Sequence, residues 1–307
     1  MKSFVVMQGH TYHEEKENGF IWAAKQDSSG MPSHSWQRMM EVEKGDLIFH
    51  YVKGEILAIS VATKGCEIAH RPSNPQHHAL WNDPGYFVEL EVHELDVPIQ
   101  IRAKFEEILP LLPIKYSPFQ MNGHGNQGYL YPCNEELAVK LLEMIADSNI
   151  TEIENEQLAL AISPVVQTER NPLIPLLAEA ESELKAKIRL GEGILRAQMM
   201  PLWADQCTIC GIDLPIVLRA TRSKPWKDCT RDERIDPYNG MLLCANHEIL
   251  YKTGYIAFDG QGKIHIAEEI LEEDYKKFGI HRQMKIARME QNKSYFKWHK
   301  RHIFRKG

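Results

Sequence analysis

The chain has 307 residues, 43% of them hydrophobic and 25% charged, with a net charge of −6. That length predicts two domains, and that composition excludes a disordered tail, a collagen-like fibre and a coiled-coil rod. No long uncharged apolar run suggests a membrane span, and acidic residues follow the first strand too closely for a signal peptide, so a cytoplasmic protein is expected.

The first 62 residues read as β-rich. SFVVMQ, GFIWAA, DLIFHY and EILAISVA are short apolar runs bounded by Gly, Asp and Lys turn signals. YFVELEVHEL alternates apolar and acidic residues, the pattern of a half-buried strand. Helices are predicted at Ala103–Leu109 and Glu135–Ala146, on either side of the glycine-rich segment Asn122–Gly128. Short strands with few helices imply a small α+β, barrel-like domain over residues 1–146. Residues 147–185 are expected to be a polar linker followed by a connecting helix, because Leu173, Leu177, Ala180, Leu184 and Ile188 recur at helical spacing. A second domain then occupies residues 186–307. Its last part, residues 281–307, holds nine Lys/Arg against Glu290 alone, while the rest of the chain holds 27 basic and 41 acidic residues. An acidic body with a basic end can still attract phosphate locally.

Six cysteines are too few for a disulfide scaffold, but their placement is informative. Cys207 and Cys210 form a C-x2-C pair and Cys244 with His247 a C-x2-H pair, a plausible Cys3His set for a structural Zn²⁺. The bland alternative is a group of buried thiols packing as small hydrophobes.

Between those pairs runs LRATRSKPWKDCTRDERIDPYNGMLLCANHEILYKTGYIAFD. With the knuckle before it and YFKWHKRHIF at the chain end, this segment resembles the HNH endonucleases of the ββα-metal superfamily, over roughly Ala186–Arg305. The resemblance implies a divalent catalytic metal (Mg²⁺, Mn²⁺ or Ni²⁺) at the scissile phosphate, a histidine that takes a proton from water, and an asparagine that orients it. Asn239 stands at the asparagine position, and either His247 or Glu248 at that of the metal ligand, with Glu248 slightly preferred. The family's histidine position is occupied by Arg222, which cannot act as a base near neutral pH. Asp228, Asp232 and Asp236 are close in sequence, but none is at the motif position. Lys224 is a candidate DNA contact.

GFIWAAKQDSSG, the W-x8-GDLIFHY pattern and KYSPF with GHGNQGYLY resemble the EVE domain of the PUA-like superfamily, which includes YTH domains, over about residues 1–146. The resemblance implies an aromatic cage for an extruded modified base. Trp22, Trp36, Trp81, His50 and Tyr51 are the cage candidates, and Ser60 and Asn126 could bond a base edge. Asn122, His124, Asn126 and Gln127 could touch DNA from the glycine-rich loop. The layout is that of modification-dependent restriction endonucleases, implying double-stranded DNA with 5-methyl- or 5-hydroxymethylcytosine as substrate and a homodimer, or two molecules meeting on DNA, to cut both strands. The alternative left by Arg222 is an inactive reader that clamps DNA without cutting. A third is an RNA reader.

Overall fold

The computed structural model describes residues 1–71, 84–160, 173–230 and 232–305. They form two compact units, Met1–Ala186 and Lys187–Gly307. No helix among the described residues is long and apolar enough to cross a membrane. The class is α+β.

The first unit is built on one curled seven-stranded sheet: β1 (Ser3–Gln8), β2 (Phe20–Ala23), β3 (Leu47–Val52), β4 (Glu55–Ala62), β5 (Glu67–Ala69), β6 (Gly85–Gln100) and β7 (Leu130–Cys133). The order is β2-β6-β4-β3-β1-β7, with β5 also on β6. Only β1 and β3 run parallel; the other pairs are antiparallel. The continuous apolar runs of β1 and β3 suit this central position, where both faces are covered. β6 alternates as its sequence suggests: Val88 and Leu90 are buried, while Glu89 faces out and pairs with Lys64. Its start is held by β2 and β5 and its remainder by β4, so this one long strand carries the curl. Register shifts at His50/Tyr51 and Ile56/Ala58 add the local twist expected of bulges.

The segment expected as a helix over 103–109 is broken into a 3-10 turn at Ile101–Lys104, one helical turn at Phe105–Ile108 and a second 3-10 turn at Leu109–Leu111. The next helix starts where expected. The Asn134 side chain accepts from the Leu137 N–H at 3.0 Å and so caps it. It runs to Leu160, past the expected end at Ala146, because no Gly or Pro interrupts residues 147–160. Buried Asn149 fastens it to β6, accepting from the Val97 N–H and donating to the Val97 carbonyl. Residues 161–172, the middle of the expected linker, lie outside the described residues. From Leu173 a helix extends to Leu202, burying Leu173, Leu177, Ala180 and Leu184 in the predicted spacing.

In the second unit β8 (Leu218–Arg222) pairs antiparallel with β9 (Gly240–Cys244), followed directly by the helix Ala245–Lys252. A second hairpin, β10 (Ile256–Phe258) with β11 (Ile264–Ile266), and the basic helix Asn292–His302 complete it. Phe296 of that helix is fully buried near Phe258, and the His299 ring stacks on Tyr251 at 3.8 Å. Gly240 is required where it stands: φ is +140°, and a Cβ would sit 2.0 Å from the Thr221 carbonyl oxygen.

Candidate metal knuckle, nuclease site and reader residues

The knuckle is shaped by backbone hydrogen bonds that need no metal. Gly211, at φ +74°, lets its N–H donate to the Cys207 carbonyl at 2.8 Å, so the chain turns back on itself. The Thr208 N–H and hydroxyl both donate to the Leu242 carbonyl, fastening the turn to β9. β9 then delivers Cys244, and the first turn of the following helix delivers His247. One donor atom from each of Cys207, Cys210, Cys244 and His247 lies within 4.8 Å of the others. The Sγ atoms of Cys210 and Cys244 are 3.8 Å apart, and His247 Nδ1 is 3.5 Å from Cys207 Sγ and 3.2 Å from Cys244 Sγ.

A tetrahedral Zn²⁺ with Zn–S of about 2.3 Å and Zn–N of about 2.0 Å needs separations of about 3.8 and 3.5 Å, so these residues fit the ion. The His247 Nε2–H donates to the Phe278 carbonyl at 2.7 Å, which fixes the tautomer and leaves the Nδ1 lone pair for a metal. Burial, and then the neighbouring Cys207 and Cys244 sulfurs, push the Cys210 thiol up, a strain a divalent cation would relieve. His247 is thus gathered with the three sulfurs. Glu248, one residue on, is half-buried and its carboxylate has no hydrogen bond or ion pair among the described residues.

Arg222 closes β8 opposite Gly240. Its guanidinium lies 5.0 Å from the Trp226 ring centre and donates to the Arg234 carbonyl at 3.2 Å. The Arg234 guanidinium lies 4.8 Å from the same ring centre, and Gly191 leaves room for the indole edge. Asn239 is fully buried. Its Oδ1 accepts from the Lys224 N–H at 2.9 Å, and its amide N–H groups reach the Lys224 and Glu233 carbonyls and Cys229 Sγ, each at 3.1 Å. One side chain therefore binds the loop after β8 to the start of β9. Lys224 Nζ is paired with Glu233 at 2.6 Å. Asp236 accepts from the Tyr295 hydroxyl at 2.7 Å.

In the first unit, Trp22 is buried on β2, its indole N–H donating to the Ala69 carbonyl at 3.0 Å. Trp36 is half-buried and packs on the same cluster of Phe20, Trp22 and Ala24. The Arg71 guanidinium lies 5.7 and 5.8 Å from the Phe20 and Trp22 ring centres. Trp81 lies outside the described residues.

His50 belongs to a different group. Its Nδ1 faces Gln8 Oε1 at 2.8 Å and its Nε2 faces Ser60 Oγ at 2.6 Å. The Gln8 amide N–H donates to Glu15 at 2.7 Å, so Gln8 Oε1 must accept from His50, and His50 Nε2 in turn accepts from the Ser60 hydroxyl. Burial holds His50 down at about 3, keeping it neutral. Burial raises Glu15 to about 7 against hydrogen bonds from Gln8, Tyr129 and Arg71. Ser60 is wholly buried within this chain of bonds.

Tyr51 leads instead to the glycine-rich loop: its hydroxyl accepts from the Gly125 N–H at 2.9 Å. In that loop Asn122 accepts from the His124 N–H, Asn126 donates to the Ser117 carbonyl, and Gln127 is exposed. Gln8, Glu15, Arg71 and Tyr129 went unnoticed in the sequence, because nothing local marks a Gln or Glu as buried. Arg71 follows β5 and Tyr129 precedes β7, so only the fold brings them to Glu15.

The second unit thus carries a cysteine knuckle, a strand–strand–helix unit and a buried asparagine ahead of β9. Residues 207–259 match the HNH endonuclease family. This HNH segment spans both chelating pairs, β8, β9, the following helix and β10. No curated protein matches the chain. Among solved structures, a protein from Pseudomonas putida is similar at 14% identity and a TM-score of 0.33, covering 47% of this chain and 99% of that one. The YTH domain of a Zygosaccharomyces rouxii protein, solved with N6-methyladenosine RNA, is similar at 9% identity and a TM-score of 0.30, covering 47% of this chain and 86% of that one. The YTH protein mmi1, solved with RNA, reaches 9% and 0.34, covering 50% and 87%. In the HNH segment the structure brings Cys207, Cys210, Cys244 and His247 together, and Arg222, Lys224 and Asn239 onto one loop. Among the described residues, no second cluster of three or more His, Cys, Asp or Glu donors accompanies them.

Proposed function

We propose that the protein is a nuclease directed to double-stranded DNA carrying a modified cytosine, 5-methyl or 5-hydroxymethyl. The first unit holds the extruded base and the HNH segment hydrolyses a phosphodiester bond with a divalent metal. The observation that carries the nuclease half is the HNH endonuclease match over 207–259, on a ββα unit that fits structural zinc. The reader half rests on the EVE-like motifs of residues 1–146. Asn239 would hold the loop at the reacting centre and Glu248, whose carboxylate has no partner among the described residues, would ligate the catalytic metal. Since Arg222 remains protonated, water activation falls to another group. Cutting both strands requires two nuclease sites, hence a homodimer or two molecules on one duplex, with the basic 281–307 segment on backbone phosphates and a role in defence against foreign DNA.

A second reading, a DNA-binding protein without cleavage, is favoured by one observation: the Arg222 side chain is held over Trp226 and bonded to the Arg234 carbonyl. Matched plasmids carrying cytosine, 5-methylcytosine or 5-hydroxymethylcytosine, each with Mg²⁺, Mn²⁺ or Ni²⁺, decide between them. The nuclease reading expects cutting of modified plasmid alone. Cutting by Arg222→His only would mark a silenced nuclease. Retention of modified DNA with no cutting by either protein would leave the clamp.

A further inference from the structure

At one end of the sheet in the first unit, a cavity of about 540 Å³ is bounded by the ends of β1, β3 and β6, the β3–β4 turn and the glycine-rich loop. Its size is ordinary for a small-ligand site. Three cationic or titratable side chains line it, Lys53, Arg102 and His124, against one carboxylate, Glu55. Glu55 is engaged by the Gln100 amide at 2.7 Å. The side chains of Lys53 and Arg102 have no hydrogen bond or ion pair among the described residues. Lys25, Lys44 and Lys115 of the same unit are likewise without an ion pair among the described residues, but only Lys53 and Arg102 share a concave surface. In a chain whose first 280 residues carry an excess of acidic groups, two cations on one concave surface with no carboxylate partner among the described residues make that surface suited to an anion from outside.

The walls are fixed in place. Gly125 lies so close that a Cβ there would sit 2.4 Å from the Tyr51 ring, and its N–H is bonded to the Tyr51 hydroxyl. Lys53 takes a left-handed conformation, φ +49°, in the turn before Gly54, so the hairpin accepts backbone strain at the residue that brings a charge to the rim. Gln8, 7% exposed, lines the cavity with its amide held between Glu15 and His50. It offers a polar surface that cannot rotate away.

We propose that this cavity is a phosphate-binding site of the first unit, with Lys53 and Arg102 as its cationic ligands, taking a phosphodiester of a nucleic-acid strand or the phosphate of a nucleotide. The site deepens the reading of the first unit as a nucleic-acid reader. It is separate from the Trp22–Trp36 cluster, which shares no residue with the cavity lining.

The test uses the full chain and a Lys53→Gln/Arg102→Gln double variant, with Lys64→Gln, whose charge is already paired with Glu89, as control. Binding of labelled duplexes with and without 5-methylcytosine is measured over a range of salt. Loss of two phosphate contacts reduces the slope of log affinity against log salt by about 1.8 for both duplexes, at an unchanged melting temperature, while the control keeps the full slope. Calorimetric titration with deoxycytidine 5′-monophosphate and with inorganic phosphate separates the sources. Binding of either by the wild type but not by the double variant supports the site, and inorganic phosphate alone would make the ligand a free anion. If the duplexes are not distinguished but the slope still falls, modified-base reading fails and the phosphate site stands. An unchanged slope, with neither small phosphate bound, overturns the site even where modified DNA is bound.

Discussion

Removing one thiolate from the knuckle tests the second unit most directly. Replacing Cys244 with Ser leaves an oxygen where the separations require sulfur: Cys244 Sγ stands 3.8 Å from Cys210 Sγ and 3.2 Å from His247 Nδ1, within a few tenths of an ångström of a tetrahedral zinc set. Binding free energy of structural zinc is folding free energy, about 10–16 kcal/mol at neutral pH in small zinc domains, while a whole domain is stable by only about 5–15 kcal/mol. Losing the ion therefore removes a stabilisation comparable to the total. The unit has a hydrophobic core of its own, including Met199, Leu242, Tyr251 and Phe296, so the expected result is a loosened second unit beside an intact first one. The assays are metal content of the purified full chain and limited proteolysis during chelator titration. One zinc per chain is expected in the wild type and less than one in Cys244→Ser. Cleavage should begin within 187–307 in the variant or on chelation, while fragments of the first unit persist. The reasoning is refuted if the variant and the chelated protein resist protease as the wild type does, or if the wild type carries no zinc when purified with zinc present.

Acid should weaken the first unit through His50. Its folded value, about 3, lies below the ordinary 6.5, so the stabilisation is complete above pH 6.5 and is lost as pH falls towards 3, about 5 kcal/mol in all. Glu15, raised to about 7, acts in the opposite sense between pH 4.5 and 7, and Asp27, Glu89 and Glu107, lowered by their hydrogen bonds, also lose stability in acid, so the histidine is read from the difference between wild type and His50→Gln in denaturant midpoints between pH 3 and 4.5. His50→Gln should flatten that arm by about 1.4 kcal/mol per pH unit, and equal slopes would rule His50 out as the cause. Asn239→Ala strips partners from the Lys224 N–H and from the carbonyls of Lys224 and Glu233. A loss of about 3 kcal/mol is expected, with faster amide exchange across 224–233. Asn239→Asp should recover only the part contributed by the Lys224 N–H, since a carboxylate cannot donate. Unchanged exchange in Asn239→Ala would mean the loop is held by other contacts.

The sequence by itself determined the local features: strand runs at β1, β3 and β4, the alternation of β6, the helix start at Glu135, and the two chelating pairs. These are legible because apolar periodicity and C-x2-C spacing are properties of neighbours along the chain. The helix end was missed by fourteen residues, from Ala146 to Leu160, because a polar sequence without Gly or Pro looks the same whether or not Asn149 ties it to β6. Arg222 could be read as a departure, but that its guanidinium lies over Trp226 beside that of Arg234 was not legible. The group spanning Ser60, His50, Gln8, Glu15 and Arg71 belongs wholly to the tertiary structure. It bonds residues up to 56 positions apart, Arg71 to Glu15, and a buried polar side chain is chosen by the partners that satisfy it, which a local pattern does not record. The same reason separates Tyr51 from Trp22. Both are aromatic strand residues in sequence, but only the fold sends one to a cavity wall and the other into the core.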